Sequence, residues 1–337
     1  MSCDVSYGYA VARCRAMESR LLDAQAFSRL LDAYDITSFF KILSETAYGK
    51  YIANSENSNI DVILEQVLQD TYDEFDSFIP DENLTAILKL PYDFHNIKVI
   101  LKSILAAQTS TEKRWSLLTY LGSVAPEAFI EAFETEHFRD LPKFFAKTCE
   151  EIWQPLQDLN VNMLELEQKL DKALYAQMLT LAEELKSKEI VEWVKLKIDA
   201  ENLRSLLRLK RFAFQKDKAL PFLYEDGNVP VKNMIQLLDE DVLLWETSLE
   251  NERVGRVFEK VKLLDNFSKD IVTLECAIDN FLLETIRQSR YSADSPANIL
   301  AFLWGKELEV KNIRVIYVSK SLAQSREEVR GLLRDGF

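Results

Sequence analysis

Three copies of one six-residue pattern constrain this chain more than any other feature. They are Asp93-Phe-His-Asn96-Ile97-Lys98, Asp199-Ala-Glu-Asn202-Leu203-Arg204 and Glu309-Val-Lys-Asn312-Ile313-Arg314. The general form is an acid, two variable residues, Asn, an aliphatic and a base. The Asn residues stand 106 and 110 positions apart, each close to one third of the 337-residue chain. A weaker pattern lies upstream of each copy: Leu64-Glu65-x-x-Leu68, Leu170-Asp171-x-x-Leu174 and Leu274-Glu275-x-x-Ile278. Two patterns recurring in one order predict a triplication, with a unit of about 108 residues that is too long for a solenoid repeat. The expected modules are 1–110, 111–217 and 218–337.

What kind of module follows from the turn formers. The chain has only eight Gly and eight Pro. Sheet-rich folds need a turn signal every 8–12 residues or so, which this composition cannot supply, so the predicted fold class is all-α. The repeated segments carry helical periodicity. Ile97, Ile100, Leu101, Ile104 and Leu105 share one face, and Val191, Val194, Ile198, Leu203, Leu206 and Leu207 form a broader stripe. Pro91 suits a first helical turn, with Asp93 near the positive end of the helix dipole. Breaks are expected at Gln108–Thr111, Lys216–Pro230 and Ser292–Pro296.

Each Asn has apolar residues four positions before and after it: Tyr92 and Ile100, Ile198 and Leu206, Leu308 and Ile316. Residues i and i±4 share a helix face, so each amide should be at least half buried. An unsatisfied buried amide costs about 1–3 kcal/mol. Each Asn is therefore predicted to tie its helix to the backbone of a neighbouring loop or helix end.

The chemistry of the chain is sparse. There is no GxxxxGK[ST] and no GxGxxG phosphate loop. His95 and His137 are the only histidines, with no metal-ligand spacing, and they read as surface or cap residues. Cys3, Cys14, Cys149 and Cys276 form no CxxC and suit a reducing compartment. No catalytic residue, cofactor or metal site is expected. The opening residues lack the apolar core of a secretory signal, and the longest apolar run, Ile299–Trp304, is far short of a membrane span.

A net charge of −14 argues against nucleic-acid partners and anionic membrane surfaces. The charge is unevenly spread. Residues 56–90 hold nine acids, Asp70, Asp73, Glu74 and Asp76 among them, against Lys89 alone. Residues 186–218 hold ten bases against five acids. Such a division can orient a chain against partners of alternating sign.

The repeat residues also carry a family resemblance. Tyr9-Ala-Val-Ala-Arg13-Cys-Arg15-Ala-Met-Glu18 and Leu43-Ser-Glu-Thr46-Ala-Tyr48 are similar to the opening helices of the C subunits of prokaryotic V/A-type ATPases, relatives of the d subunit of eukaryotic V-ATPases. Leu90-Pro-Tyr-Asp93-Phe-His-Asn96 and Asp199-Ala-Glu-Asn202-Leu203-Arg204 resemble that family's acid–Asn helices. Its most recognisable block resembles Ile299-Leu-Ala-Phe-Leu-Trp304-Gly-Lys-Glu307-Leu-Glu309-Val-Lys-Asn312-Ile-Arg314, with Ser325–Arg334 continuing in the same manner. In the first copy, Phe94-His95 and Lys98 stand where an acid and an Arg are more typical.

The resemblance implies a funnel of three similar helical modules with approximate threefold symmetry and no catalytic residues. It implies two partners, a coiled-coil central shaft and the membrane proteolipid ring, with one copy of the chain per complex. The chain would lie on the cytoplasmic face as a peripheral component, without inserting into the membrane. Expected partner contacts are Asp70, Asp73, Glu74, Asp76, Lys98, Arg204 and Arg314; the structural repeat is Asp93, Asn96, Asp199, Asn202, Glu309 and Asn312. The alternative is a free-standing cytosolic helical adaptor.

Overall fold

Long runs without Gly or Pro let helices propagate, and the computed structural model is helical throughout, with no strand among its described residues. Those residues are 6–54, 59–108, 115–156, 162–259, 261–264, 266–322 and 324–336. The expected break at Gln108–Thr111 therefore lies largely outside them, as does Cys3.

By contacts the chain divides into two units, residues 82–185 and residues 1–81 with 186–337. A repeat is defined by likeness between parts and a unit by contacts, so this division need not follow boundaries near 110 and 217.

The first segment of the discontinuous unit holds α1 (Gly8–Met17), α2 (Ala24–Asp32), α3 (Ile36–Ser44), α4 (Gly49–Asn54) and α5 (Ile60–Asp76). Side chains start three of these. Asp23 accepts from the Ala26 N–H at 2.7 Å, Asp35 from Ser38 at 2.7 Å and Asn59 from Asp61 at 3.0 Å. Each such cap satisfies a donor the first turn cannot, worth about 1 kcal/mol.

The contiguous unit holds α6 (Asn83–Gln108), α7 (Pro126–Thr135), α8 (Lys143–Leu156) and α9 (Met163–Glu184). Here the sequence reading needs correction. Pro91 does not open a helix; α6 begins at Asn83 and carries Pro91 inside it. An internal proline removes one helical hydrogen bond and costs about 3 kcal/mol. Leu84, Ile87, Leu88 and Leu90, all buried, continue the apolar face upstream and outweigh that loss. Asp93 consequently lies mid-helix, where the dipole does not act.

The remainder of the discontinuous unit holds α10 (Lys188–Arg211), α11 (Lys216–Ala219), α12 (Val231–Met234), α13 (Trp245–Ser248), α14 (Phe267–Arg287), α15 (Ala297–Ser321) and α16 (Arg326–Arg330). Helix α15 is its hub, packing against α1, α2, α3, α5, α10, α14 and α16. From Ala297 to Val310 every residue of α15 is buried, including Lys306, Glu307 and Glu309. No helix among the described residues is long and apolar enough to cross a membrane.

Each Asn-bearing helix packs along a second long helix: α6 on α9, α10 on α14, α15 on α5. The upstream Leu-acid-x-x-Leu patterns lie on these second helices. The pattern at 170–174 thus meets the Asn96 helix rather than the Asn202 helix it precedes.

Candidate functional site

The three Asn residues are buried, at 0%, 0% and 2% exposure. Each closes the same pair of hydrogen bonds with one backbone unit. Asn96 Nδ2 donates to the Thr119 carbonyl at 2.8 Å while its Oδ1 accepts from the Thr119 N–H at 2.9 Å. Asn202 does this with Tyr224, at 2.9 and 2.8 Å, and Asn312 with Arg334, at 2.9 Å for both. The partners stand 23, 22 and 22 residues beyond the Asn. A side-chain amide has the donor–acceptor geometry of a peptide group, so it joins helix to loop as one strand residue joins another.

The acid three residues before each Asn behaves in two ways. Asp93 accepts from the Ser123 and Val124 N–H groups, both at 3.0 Å, and Asp199 from Asn228 and Val229 at 3.0 and 3.1 Å. Gly122 and Gly227 make this approach feasible, since a Cβ at either position would stand 2.2 Å from the Asp Oδ1. Both carboxylates are fully buried, and burial pushes them up to about 6 against the opposing pull of the N–H donors.

In the third copy Glu309 faces elsewhere. It accepts from the Leu22 N–H at 2.5 Å, the Tyr48 hydroxyl at 2.6 Å and the Lys306 ammonium at 2.5 Å. Burial, with Glu309 alongside, pushes the Tyr48 phenol far up and keeps it a proton donor. Next to this cluster, Glu307 accepts from the Tyr72 hydroxyl at 2.6 Å.

The base two positions after each Asn is engaged within the chain. Lys98 pairs with Asp171 on α9 at 2.5 Å, Arg204 with Glu201 at 2.7 Å and Glu275 on α14 at 3.7 Å, and Arg314 with Asp61 on α5 at 2.8 Å. Of the acidic stretch, Asp70 meets Lys50 and the Tyr51 hydroxyl, and Glu74 meets Arg13 and Arg20. Asp73 is exposed and Asp76 half-buried. Arg20, Lys50, Asp70, Asp73, Glu74 and Lys306 help line a cavity of about 290 Å³.

Sequence reasoning places Tyr48 and Lys306 within the resembling motifs and Gly227 in an expected loop, but gives none of them, nor Gly122, a bonding role. The glycines do leave a signal: Gly122-Ser-Val and Gly227-Asn-Val follow their Asp by 29 and 28 residues. His95 is exposed and approaches the Leu117 carbonyl at 2.9 Å; His137 is exposed. Cys14 and Cys149 are buried, and burial pushes both thiols up to about 12, unsuited to nucleophilic work.

Comparison with known proteins covers most of the chain. A family described as ATP synthase (C/AC39) subunit matches residues 10–332. The C subunit of the A-type ATP synthase of Thermococcus onnurineus (strain NA1) is 28% identical, over 92% of this chain and 85% of the relative. That of Methanocaldococcus jannaschii is 26% identical over 97% and 86%. The C subunit of the V-type sodium ATPase of Enterococcus hirae is 22% identical over 94% and 95%. With a match of this extent the chain belongs to the C/AC39 subunits of A/V-type ATP synthases, non-catalytic members of their complexes.

Proposed function

We propose that the chain is the central-stalk connector of a rotary A/V-type ATPase. One copy receives the end of the coiled-coil shaft and seats on the proteolipid ring at the cytoplasmic face of the membrane. It turns with both, coupling ATP turnover in the head to H⁺ or Na⁺ transport. The observation that carries this reading is the likeness to the C subunits over more than nine tenths of the chain.

In this reading the body is a funnel of three related modules around an approximate threefold axis, bounded near residues 110 and 217. Three Asn ties at nearly equal offsets and three pairs of long helices support it. Torque crosses such a body only if its elements do not slide. Close-packed helices, each pinned to a loop by a doubly bonded amide, suit that demand. Lys98, Arg204 and Arg314 brace helix pairs in the same way.

The acidic residues Asp70, Asp73, Glu74 and Asp76 meet basic cytoplasmic loops of a membrane partner, where Lys and Arg are enriched. Neutralising all four weakens assembly in a salt-sensitive way; assembly unchanged at low salt refutes that contact. The reading as a whole is tested by purification from detergent-solubilised membranes. The chain is expected with shaft and ring proteins. Recovery free of both overturns the reading in favour of a free-standing adaptor.

A further inference from the structure

The cavity of about 290 Å³, lined from α1, α4, α5 and α15, has a floor and a rim of different chemistry. Buried residues form the floor: Met17, Tyr48, Tyr51, Val67, Phe302 and Lys306. Exposed or half-buried charged residues form the rim: Arg20, Lys50, Asp70, Asp73 and Glu74. Its size lies at the lower end of the roughly 300–1,000 Å³ of small-ligand sites, room for one ring rather than a nucleotide.

Every base at this cavity holds an acid. Arg20 pairs with Glu74 at 2.9 Å, Lys50 with Asp70 at 3.5 Å and Lys306 with Glu309 at 2.5 Å. An entering carboxylate would come beside Glu309, Asp70 and Glu74, and an entering ammonium beside Lys306, Lys50 and Arg20, so neither sign gains. Lys306 nevertheless keeps a donor in reserve. An ammonium has three N–H groups, and among the described residues those of Lys306 meet two acceptors, Glu309 at 2.5 Å and the Tyr48 hydroxyl at 3.1 Å. The floor therefore suits an uncharged group that combines apolar surface with one acceptor.

We propose that the cavity receives one phenolic ring, the tyrosine side chain of a partner protein in the assembled ATPase. Three rings, Tyr48, Tyr51 and Phe302, line it, and aromatic pairs gain more than the area they bury. The phenol oxygen accepts the third N–H of Lys306. Phenylalanine brings no acceptor, tryptophan only a donor, and glutamine an acceptor with little apolar surface. A desolvated aromatic anchor inside a polar rim is also the make-up of an interface hot spot. The inference rests on the connector reading for the assembly that supplies the partner.

Four small probes test the cavity in the isolated chain: p-cresol, toluene, p-toluate and p-methylbenzylamine, titrated against the methyl NMR signals of Met17 and Val67. p-Cresol should bind about 10-fold more tightly than toluene, the worth of one hydrogen bond to a charged donor, and more tightly than either ion. Toluene or an ion binding as well as p-cresol, or no probe binding at all, overturns the proposal. Val67→Trp, which grows into the cavity, should abolish p-cresol binding; binding that survives lies elsewhere and overturns the proposal too. In cells carrying the variant in place of the native chain, recovery with shaft and ring proteins should fall about 10-fold. Ala47→Trp, at the exposed edge of the same cavity, takes its place if the first variant does not fold. Recovery equal to wild type, with p-cresol excluded, overturns the partner tyrosine and leaves the connector reading standing. A wild-type chain recovered free of shaft and ring overturns the connector reading, and the proposed tyrosine donor with it.

Discussion

In the first two copies of the repeated pattern, Asp93 and Asp199 reach the loop that the neighbouring Asn already holds, so acid and amide fasten one loop together. In the third, Asn312 keeps its loop tie while Glu309, one methylene longer, turns to Leu22, Tyr48 and Lys306. The amide is the constant part because its bonding needs only a peptide group. The acid varies because a carboxylate can be satisfied by any convergent set of donors, backbone or charged. Copies one and two are neutral backbone ties with a titrating acid; copy three contains an ion pair.

That contrast is broken most severely at Lys306. Lys306→Met leaves Glu309 buried without its ammonium and should cost about 3–5 kcal/mol, read by denaturant unfolding. Adding Glu309→Gln should return a large share of the loss; a double variant as unstable as the single one would put the importance of the cluster elsewhere. Gly122→Ala and Gly227→Ala test the other side. A Cβ against the Asp Oδ1 forces the loop away, for about 2–3 kcal/mol at each site. A neutral effect at both positions would mean that the loop yields without strain.

The pH dependence of stability sharpens the comparison further. Asp93 and Asp199 are raised from 3.8 to about 6 in the folded chain. Their folded forms therefore bind protons more readily than the unfolded chain. The stabilisation is complete below pH 4 and disappears as pH rises through 6, by about 3 kcal/mol per group. Unfolding free energy followed from pH 7 to pH 4.5 should rise more steeply in the wild type than in Asp93→Asn/Asp199→Asn. Parallel curves would contradict the assignment. The smallest effects belong to the shared feature: Asn96→Ala, Asn202→Ala and Asn312→Ala should each cost about 1–2 kcal/mol, since the partly buried loop groups can recover water. A cost confined to one of the three would undo the equivalence of the ties.

The ties were legible because they rest on local information: periodicity fixed the face, and a buried amide has few ways to be satisfied. The all-helical class was legible from what the chain lacks. Other features depend on distant partners. Pro91 looked like a helix start because the upstream face, from Leu84 to Leu90, gains its strength only from burial. Lys306, Glu307 and Glu309 look like the solvated side of an amphipathic helix; α15 buries them because helices surround it there on more than one side. Arg314 could not be assigned to Asp61, which lies 253 residues away.

The division of the chain bears on its synthesis. Residues 82–185 form their unit from one continuous stretch, while α1, α2, α3 and α5 pack on α15, which begins at Ala297. The opening helices therefore leave the ribosome long before the surface that covers them exists, and their apolar faces wait exposed through some two hundred further residues of translation. A nascent chain paused ahead of α15 would display Leu30, Phe39 and Leu64, each fully covered at the end, to whatever chaperone or partner chain meets it first.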